Sequence, residues 1–192
     1  GGSTGQPLKV YHDNRYVTSA LMWRMYKWWN LPLNSSIATV YRETNLTLKQ
    51  KLIDYSRWWP SRHLNIDASA LTETDIINFI QRFNKIKPKL LHGYVGSVLT
   101  IAQYILDNKL TIFSPSAIWV TSAPLSKNVE MIIQKAFGSN VYDQYGCCEV
   151  FYLASECSRK EGLHIFSDVR RIDIVNEDGT KCPDGQNGNI LV

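Results

Sequence analysis

Five consecutive positions, Tyr145-Gly146-Cys147-Cys148-Glu149, combine an aromatic ring, a glycine, two thiols and a carboxylate. Such a set can stack a base, turn the chain at the glycine and hold Mg²⁺ through a carboxylate oxygen. Taken singly, the same residues describe a strand end with a solvated glutamate. The opening loop Gly1-Gly2-Ser3-Thr4-Gly5-Gln6-Pro7 is a second candidate. Glycine tolerates positive φ and close approach, so backbone N–H groups and the Ser3 and Thr4 hydroxyls, with Gly5, can converge on phosphate oxygens. The loop is not of the Walker type, because it lacks the Gly-Lys-Ser/Thr ending, and its composition also suits a flexible linker. The third candidate is Ser122-Ala123-Pro124-Leu125, between a strand pattern and a helix pattern. Parallel α/β folds place ligand-facing loops there, although an ordinary turn with Ser126 as helix N-cap accounts for it too.

All four cysteines (Cys147, Cys148, Cys157, Cys182) fall in the last quarter of the chain. Cys147 or Cys148, Cys157 and His164, with or without Cys182, could form an N/S site suited to Zn²⁺. There is no Cys-x-x-Cys pair, and small buried hydrophobes beside one hydrogen-bonded histidine are the plainer alternative. No His/Asp pattern accompanies a cysteine nucleophile. His12, His63 and His92 are assigned ordinary roles. Trp28-Trp29 and Trp58-Trp59 are read as core rather than as platforms for bases.

These groups must be positioned by elements whose pattern is legible. Residues 16–29, closed by Asn30 and Pro32, are dense enough in apolar side chains for a helix. Residues 36–41 form a β-branched strand, residues 46–59 are irregular or weakly helical, and residues 62–67 alternate like an edge strand. Thr72 caps a helix with Glu73 and Asp75 in its first turn and a stripe of Ile76, Ile77, Phe79, Ile80 and Phe83, ending near Lys87-Pro88. A strand over 89–92 turning at Gly93, a helix over 95–106, a strand over 117–121, a helix over 126–137 closed by Gly138, and a strand over 140–144 follow. Strands alternating with helices predict an α/β fold with a mainly parallel sheet of βαβ units. Beyond Glu149 the segments shorten (151–154, 163–166, 171–175, 189–192) and Asp178-Gly179 signals a hairpin, so a small antiparallel β region is expected at the C-terminal end. The expected division is an α/β nucleotide-binding core over 1–149 and a β-rich appendage over 150–192, both partial.

At 192 residues the chain can bury a real core, and its 44% hydrophobic and 20% charged content argues against wholesale disorder. The net charge of +4 is scattered, with no basic run for nucleic acid. No apolar stretch is long enough to span a bilayer. The composition is that of a cytoplasmic enzyme with reduced thiols. The chain starts without Met inside one motif and stops inside a strand pattern, so it reads as an interior segment whose targeting signals are not visible.

In order and spacing, these motifs resemble the adenylate-forming (AMP-binding, acyl-activating) superfamily. The opening loop is similar to its pyrophosphate-binding motif, the strand with Ser122-Ala123-Pro124-Leu125 to its adenine-flanking segment, Tyr145 to Glu149 to its Tyr-Gly-x-Thr-Glu motif, and Gly188-Asn189-Ile190-Leu191-Val192 to its Gly-Glu-Leu-Val strand. Tyr26-Lys27-Trp28-Trp29, and Gly162-Leu163-His164-Ile165 followed by Ile172-Asp173-Ile174-Val175 and Asp178-Gly179, resemble the phenylacetate–CoA ligase branch and its capsular-polysaccharide (CapK-like) members.

The resemblance implies ATP and a small carboxylic acid giving acyl-AMP and pyrophosphate, then acyl transfer to a thiol such as CoA or a carrier. It implies Ser3, Thr4 and Gly5 on the β/γ-phosphates, Glu149 on Mg²⁺ as the catalytic carboxylate, and Tyr145 with Gly146 against the adenine. Ser122, Ala123 and Pro124 would flank its other edge, Cys148 would lie by the nucleotide phosphate, and Tyr94 would border the acyl pocket. Gln6 stands where the family carries lysine, and Cys148 where it carries threonine. The ribose-binding acid and the catalytic lysine of the family's C-terminal domain would lie beyond Val192, so the segment alone is expected to be inactive. A non-catalytic nucleotide- or polysaccharide-pathway binding protein, or a zinc-stabilised structural module, are the competing expectations.

Overall fold

The computed structural model describes residues 17–42, 49–50, 53, 56, 58–69, 71–147 and 149–191. The opening loop with Ser3, Thr4 and Gly5, and Cys148, lie outside the described residues.

Five parallel strands form the centre: β1 (Ile37–Tyr41), β2 (His63–Asp67), β3 (Leu90–Tyr94), β4 (Ala117–Thr121) and β5 (Val141–Tyr145). Short antiparallel strands β6 (Ala154–Glu156) and β7 (Leu163–Ile165) continue the same sheet, in the order β2-β1-β3-β4-β5-β6-β7. The pair β8 (Asp173–Val175) and β9 (Asn189–Leu191) stands apart as a two-stranded antiparallel sheet. The mainly parallel α/β sheet with antiparallel strands at its C-terminal end is therefore as the sequence pattern implies.

Helices α2 (Glu73–Ile86), α3 (Val95–Asp107) and α4 (Lys127–Phe137) cover one face. The main core lies there: Ala38, Val40, Leu91, Ile118 and Val120 from the sheet meet Phe79, Phe83, Val98, Ile101 and Phe137. Helix α1 (Val17–Trp28) covers part of the opposite face, where Leu21, Met25, Tyr26 and Trp29 pack on Leu90, Trp119, Tyr142 and Phe166.

Local chemistry sets the helix ends. Thr72 and Asp75 form a reciprocal capping box, and Lys87 closes α2 in the left-handed region (φ 54°) immediately before Pro88. Ser126 accepts from Val129 N to start α4, and Gly138 (φ 67°) ends it with its N–H on Gln134 O. Helix α3 grows directly out of β3, with Tyr94 at its N-cap, no side-chain cap and no acid in its first turn.

Four local expectations change. Gly93 is not a turn: β3 runs through it, and an added Cβ would lie 2.8 Å from Val40 Cβ and 2.9 Å from Val98 Cγ2. The glycine lets α3 close onto the sheet. The strand expected at 151–154 starts later, at Ala154, because Leu153 N–H first closes back on Tyr145 O. At Asp178-Gly179 the chain does turn, with Gly179 at φ 83° and Asn176 N–H donating to Thr180 O. Only one bridge, Val175 with Lys181, follows, and the main partner of β8 is β9. Trp58 and Trp59 are exposed rather than core, flanking the edge strand β2.

Candidate functional site

The strand order reverses at β1: the chain goes outward from β1 to β2, then returns past β1 to β3 and onward. Loops leaving neighbouring strands in opposite directions open a crevice at their carboxyl ends, where ligands of open α/β sheets bind. A cleft of about 770 Å³ lies there. Among the described residues, Arg42 after β1, Ala68 and Leu71 after β2, Tyr94 to Ser97 at the β3–α3 junction, and Ser122 and Ala123 after β4 line it. The volume suits a small-molecule site.

A hydrogen-bonded aromatic row reaches the cleft through Tyr94. The Tyr41 hydroxyl and His92 Nε2 are 2.6 Å apart, and the His92 ring stacks on Trp119 at 3.6 Å between centroids. Tyr41 also meets Tyr94 edge-on at 4.5 Å. Burial pushes the His92 pKa down to about 3, so its imidazole is neutral and accepts from or donates to Tyr41 without charge. Burial, with Tyr152 and Tyr94 adding to it, raises the Tyr41 phenol well above its ordinary range.

Beside the cleft, the loops after β4 and β5 are tied together. Thr121 Oγ1 donates to Gln144 O at 3.1 Å. The Asp143 carboxylate accepts from the backbone of Gln144 and of Leu125; burial raises its pKa, and those N–H donors oppose the rise. Ser122 sits at φ 80°, an uncommon conformation for a residue with a side chain. Gly146 occupies a tight corner, since a Cβ there would lie 2.7 Å from Gln144 Nε2 and 3.0 Å from Tyr152 N. Cys147 then closes a turn with Val150: its N–H donates to Val150 O at 3.2 Å and its Sγ accepts from Val150 N at 3.3 Å.

No family model matches the chain. In sequence it is 30% identical to Protein CapK of Staphylococcus aureus over 154 residues, which are 78% of this chain and 34% of CapK. The chain thus spans about a third of that relative's length. In structure it superposes on 2-hydroxyisobutyryl-CoA ligase in complex with 2-HIB-AMP and CoA with a TM-score of 0.72 at 15% identity, covering 91% of this chain and 39% of the ligase. The chain has the adenylate-forming fold and is CapK-like in sequence. The amide bond synthetase McbA from Marinactinospora thermotolerans (TM-score 0.61, 10% identity, 90% of this chain and 35% of McbA) has the same fold. So does the anthranilate CoA ligase AuaEII in complex with anthranoyl-AMP (0.58, 16%, 82% of this chain and 31% of AuaEII).

In the CapK-like chain, Ser122, Ala123 and Pro124 are exposed on the loop after β4, Tyr145 ends the adjacent strand β5, and Gly146, Cys147 and Glu149 follow it. The structure brings these two segments together, and Ser122 and Ala123 share the cleft with Tyr94. Glu149 is an exposed carboxylate on the connection after β5, the type of oxygen ligand that Mg²⁺ takes beside substrate phosphates.

Zinc does not fit. Among the described residues no three His, Cys, Asp or Glu side chains converge as a metal site. His164 Nε2 and Cys157 Sγ are 3.1 Å apart, but Cys147 is engaged in its own turn with Val150, and Cys182 is buried with its thiol on Asn176 Oδ1 at 3.2 Å. For Cys147, Cys157 and Cys182, clustering in sequence did not become clustering in space, because they sit on three separate connections. Arg42, His92 and Asp143 were missed from sequence: a lone basic residue, a lone histidine and a lone acid in a strand carry no spacing signal. Among the described residues no helix is long and apolar enough to cross a membrane.

Proposed function

We propose that the protein of which this chain forms part is an ATP-dependent acyl-activating ligase working in capsule or exopolysaccharide biosynthesis. In the first step a carboxylate oxygen attacks the α-phosphorus of ATP, the α–β anhydride breaks, and acyl-AMP and pyrophosphate form. In the second, a thiol such as that of CoA or a carrier adds to the acyl carbon, loses its proton, and AMP departs.

The observation that supports the reading is that Ser122 and Ala123 share the cleft with the Tyr94–Ser97 junction, while β5, tied to β4 by Thr121 Oγ1 on Gln144 O, ends at Tyr145 on the neighbouring strand. The nucleotide would lie over the ends of β4 and β5, with Tyr145 on one side of the adenine and Ser122, Ala123 and Pro124 on the other. Ser3, Thr4 and Gly5 would hold the β/γ-phosphates, and Cys148 would lie by the phosphate. The acid would enter past Tyr94. Glu149 would hold Mg²⁺, which neutralises charge as pyrophosphate leaves. Support also comes from neighbours described with acyl-AMP or CoA bound.

The test is acid-dependent exchange of labelled pyrophosphate into ATP by the full-length protein. Exchange should appear with a suitable acid and fall about 100-fold or more in Glu149→Gln, by analogy with the loss of other transition-state charge stabilisers. Silence across a broad acid panel would sink the reading. Gln6 and Cys148 favour a second reading, a non-catalytic nucleotide binder. It predicts that Gln6→Lys with Cys148→Thr raises ATP affinity without producing exchange.

A further inference from the structure

The cleft has a chemical asymmetry along its length. Its lining includes one cation, Arg42, and no Asp or Glu among the described residues. Arg42 is exposed and makes no ion pair among them. Beside it stand the Ser97 and Thr100 hydroxyls and the Tyr94 ring; Thr100 Oγ1 donates to Gly96 O at 3.1 Å, leaving its lone pairs as acceptors. Among the described residues the aliphatic lining is Ala68, Leu71, Val95 and Ala123. An acyl pocket built for a plain hydrocarbon chain would not seat a guanidinium in its lining.

Position separates this cation from the reacting groups. Arg42 follows β1, while the 122–124 loop follows β4, and β3 lies between them. At the usual spacing of hydrogen-bonded strands, two steps place them roughly 10 Å apart. With the nucleotide over β4 and β5, Arg42 stands at the far end of the acid, not at its reacting carboxylate. We infer that the acid taken by this cleft is bifunctional, a dicarboxylate whose second, unreacted carboxylate is received by Arg42. A guanidinium suits that task because it is always charged and presents paired donors to a carboxylate.

The inference rests on the ligase reading, and one experiment separates the two. Full-length protein is assayed by ATP–pyrophosphate exchange with matched pairs: glutarate against pentanoate, adipate against hexanoate, isophthalate against benzoate. The dicarboxylate of at least one pair should have the higher kcat/KM, by about tenfold or more, the size expected of a charge-assisted hydrogen bond. Arg42→Gln should remove that preference, and Arg42→Lys should keep part of it. Arg42→Glu should turn the preference toward 5-aminopentanoate, an outcome that a misfolded variant cannot give. Preference for the monoacids, or a dicarboxylate preference indifferent to Arg42, overturns the inference and leaves the ligase reading standing. Silence with every acid overturns the ligase reading and the inference with it.

Discussion

At the scale of single residues, the tightest constraints lie at two glycines and a histidine. A methyl group at Gly146 would press on Gln144 Nε2 and on the backbone N of Tyr152, and the latter cannot move without the β5–β6 turn. Gly146→Ala should therefore displace Tyr145 and weaken ATP binding more than it lowers stability, which equilibrium binding beside a urea titration can check. Gly93→Ala meets Val40 and Val98 inside the core and should cost about 1–3 kcal/mol, as overpacking does. His92 makes stability depend on pH. Its folded pKa, about 3, lies below its unfolded value, so on acidification the unfolded chain takes up the proton first. That disfavours folding progressively as pH falls from about 6.5 toward 3. Urea midpoints at pH 7 and pH 4.5 should differ less in His92→Gln than in the parent; an equal or larger drop would count against a neutral His92.

At the scale of elements, caps and ties decide how firmly the cleft is framed. Thr72→Ala removes half of a capping box and should destabilise by about 1 kcal/mol, measurable as a shift in the denaturant midpoint. A more consequential tie joins α4 to the β6–β7 connection. Glu130 is buried, and Lys160 Nζ donates to its carboxylate while the exposed Lys127 approaches at 3.2 Å. Lys160→Met should cost more stability than Lys127→Met, because Lys160 is the shielded partner of the buried carboxylate while Lys127 is exposed to solvent. Restoring neutrality with Glu130→Gln should recover much of the loss.

The elements were also the most legible part of the sequence. The α2 and α4 caps, the strand over 117–121 and the β-branched run of β1 show in local pattern because local chemistry makes them. Gly93 misled because a glycine admitting a close helix and a glycine making a turn look alike in one dimension. The motif segments 122–124 and 145–149 were readable as strand ends. Arg42 and Asp143 were not, since only the sheet order brings them to the same edge.

At the scale of the whole molecule, the described surface carries apolar side chains with no cover of their own: Trp23, Leu33, Trp58 and Trp59 are all exposed, Trp59 by 71%. Exposed apolar side chains of this size mark surfaces for contact with other polypeptide. Iodide should quench these indoles strongly in the 192-residue chain and weakly in the full-length protein; equal quenching would show that the faces remain open. The direction reversal at β1 has one more consequence. It draws one end of the cleft from residues 42–71 and the other from residues 94–123, stretches that reach the edge by separate routes. Under the ligase reading, substitutions at Arg42, Ala68 or Leu71 can therefore alter the acid end without altering Ser122 and Ala123 at the nucleotide end.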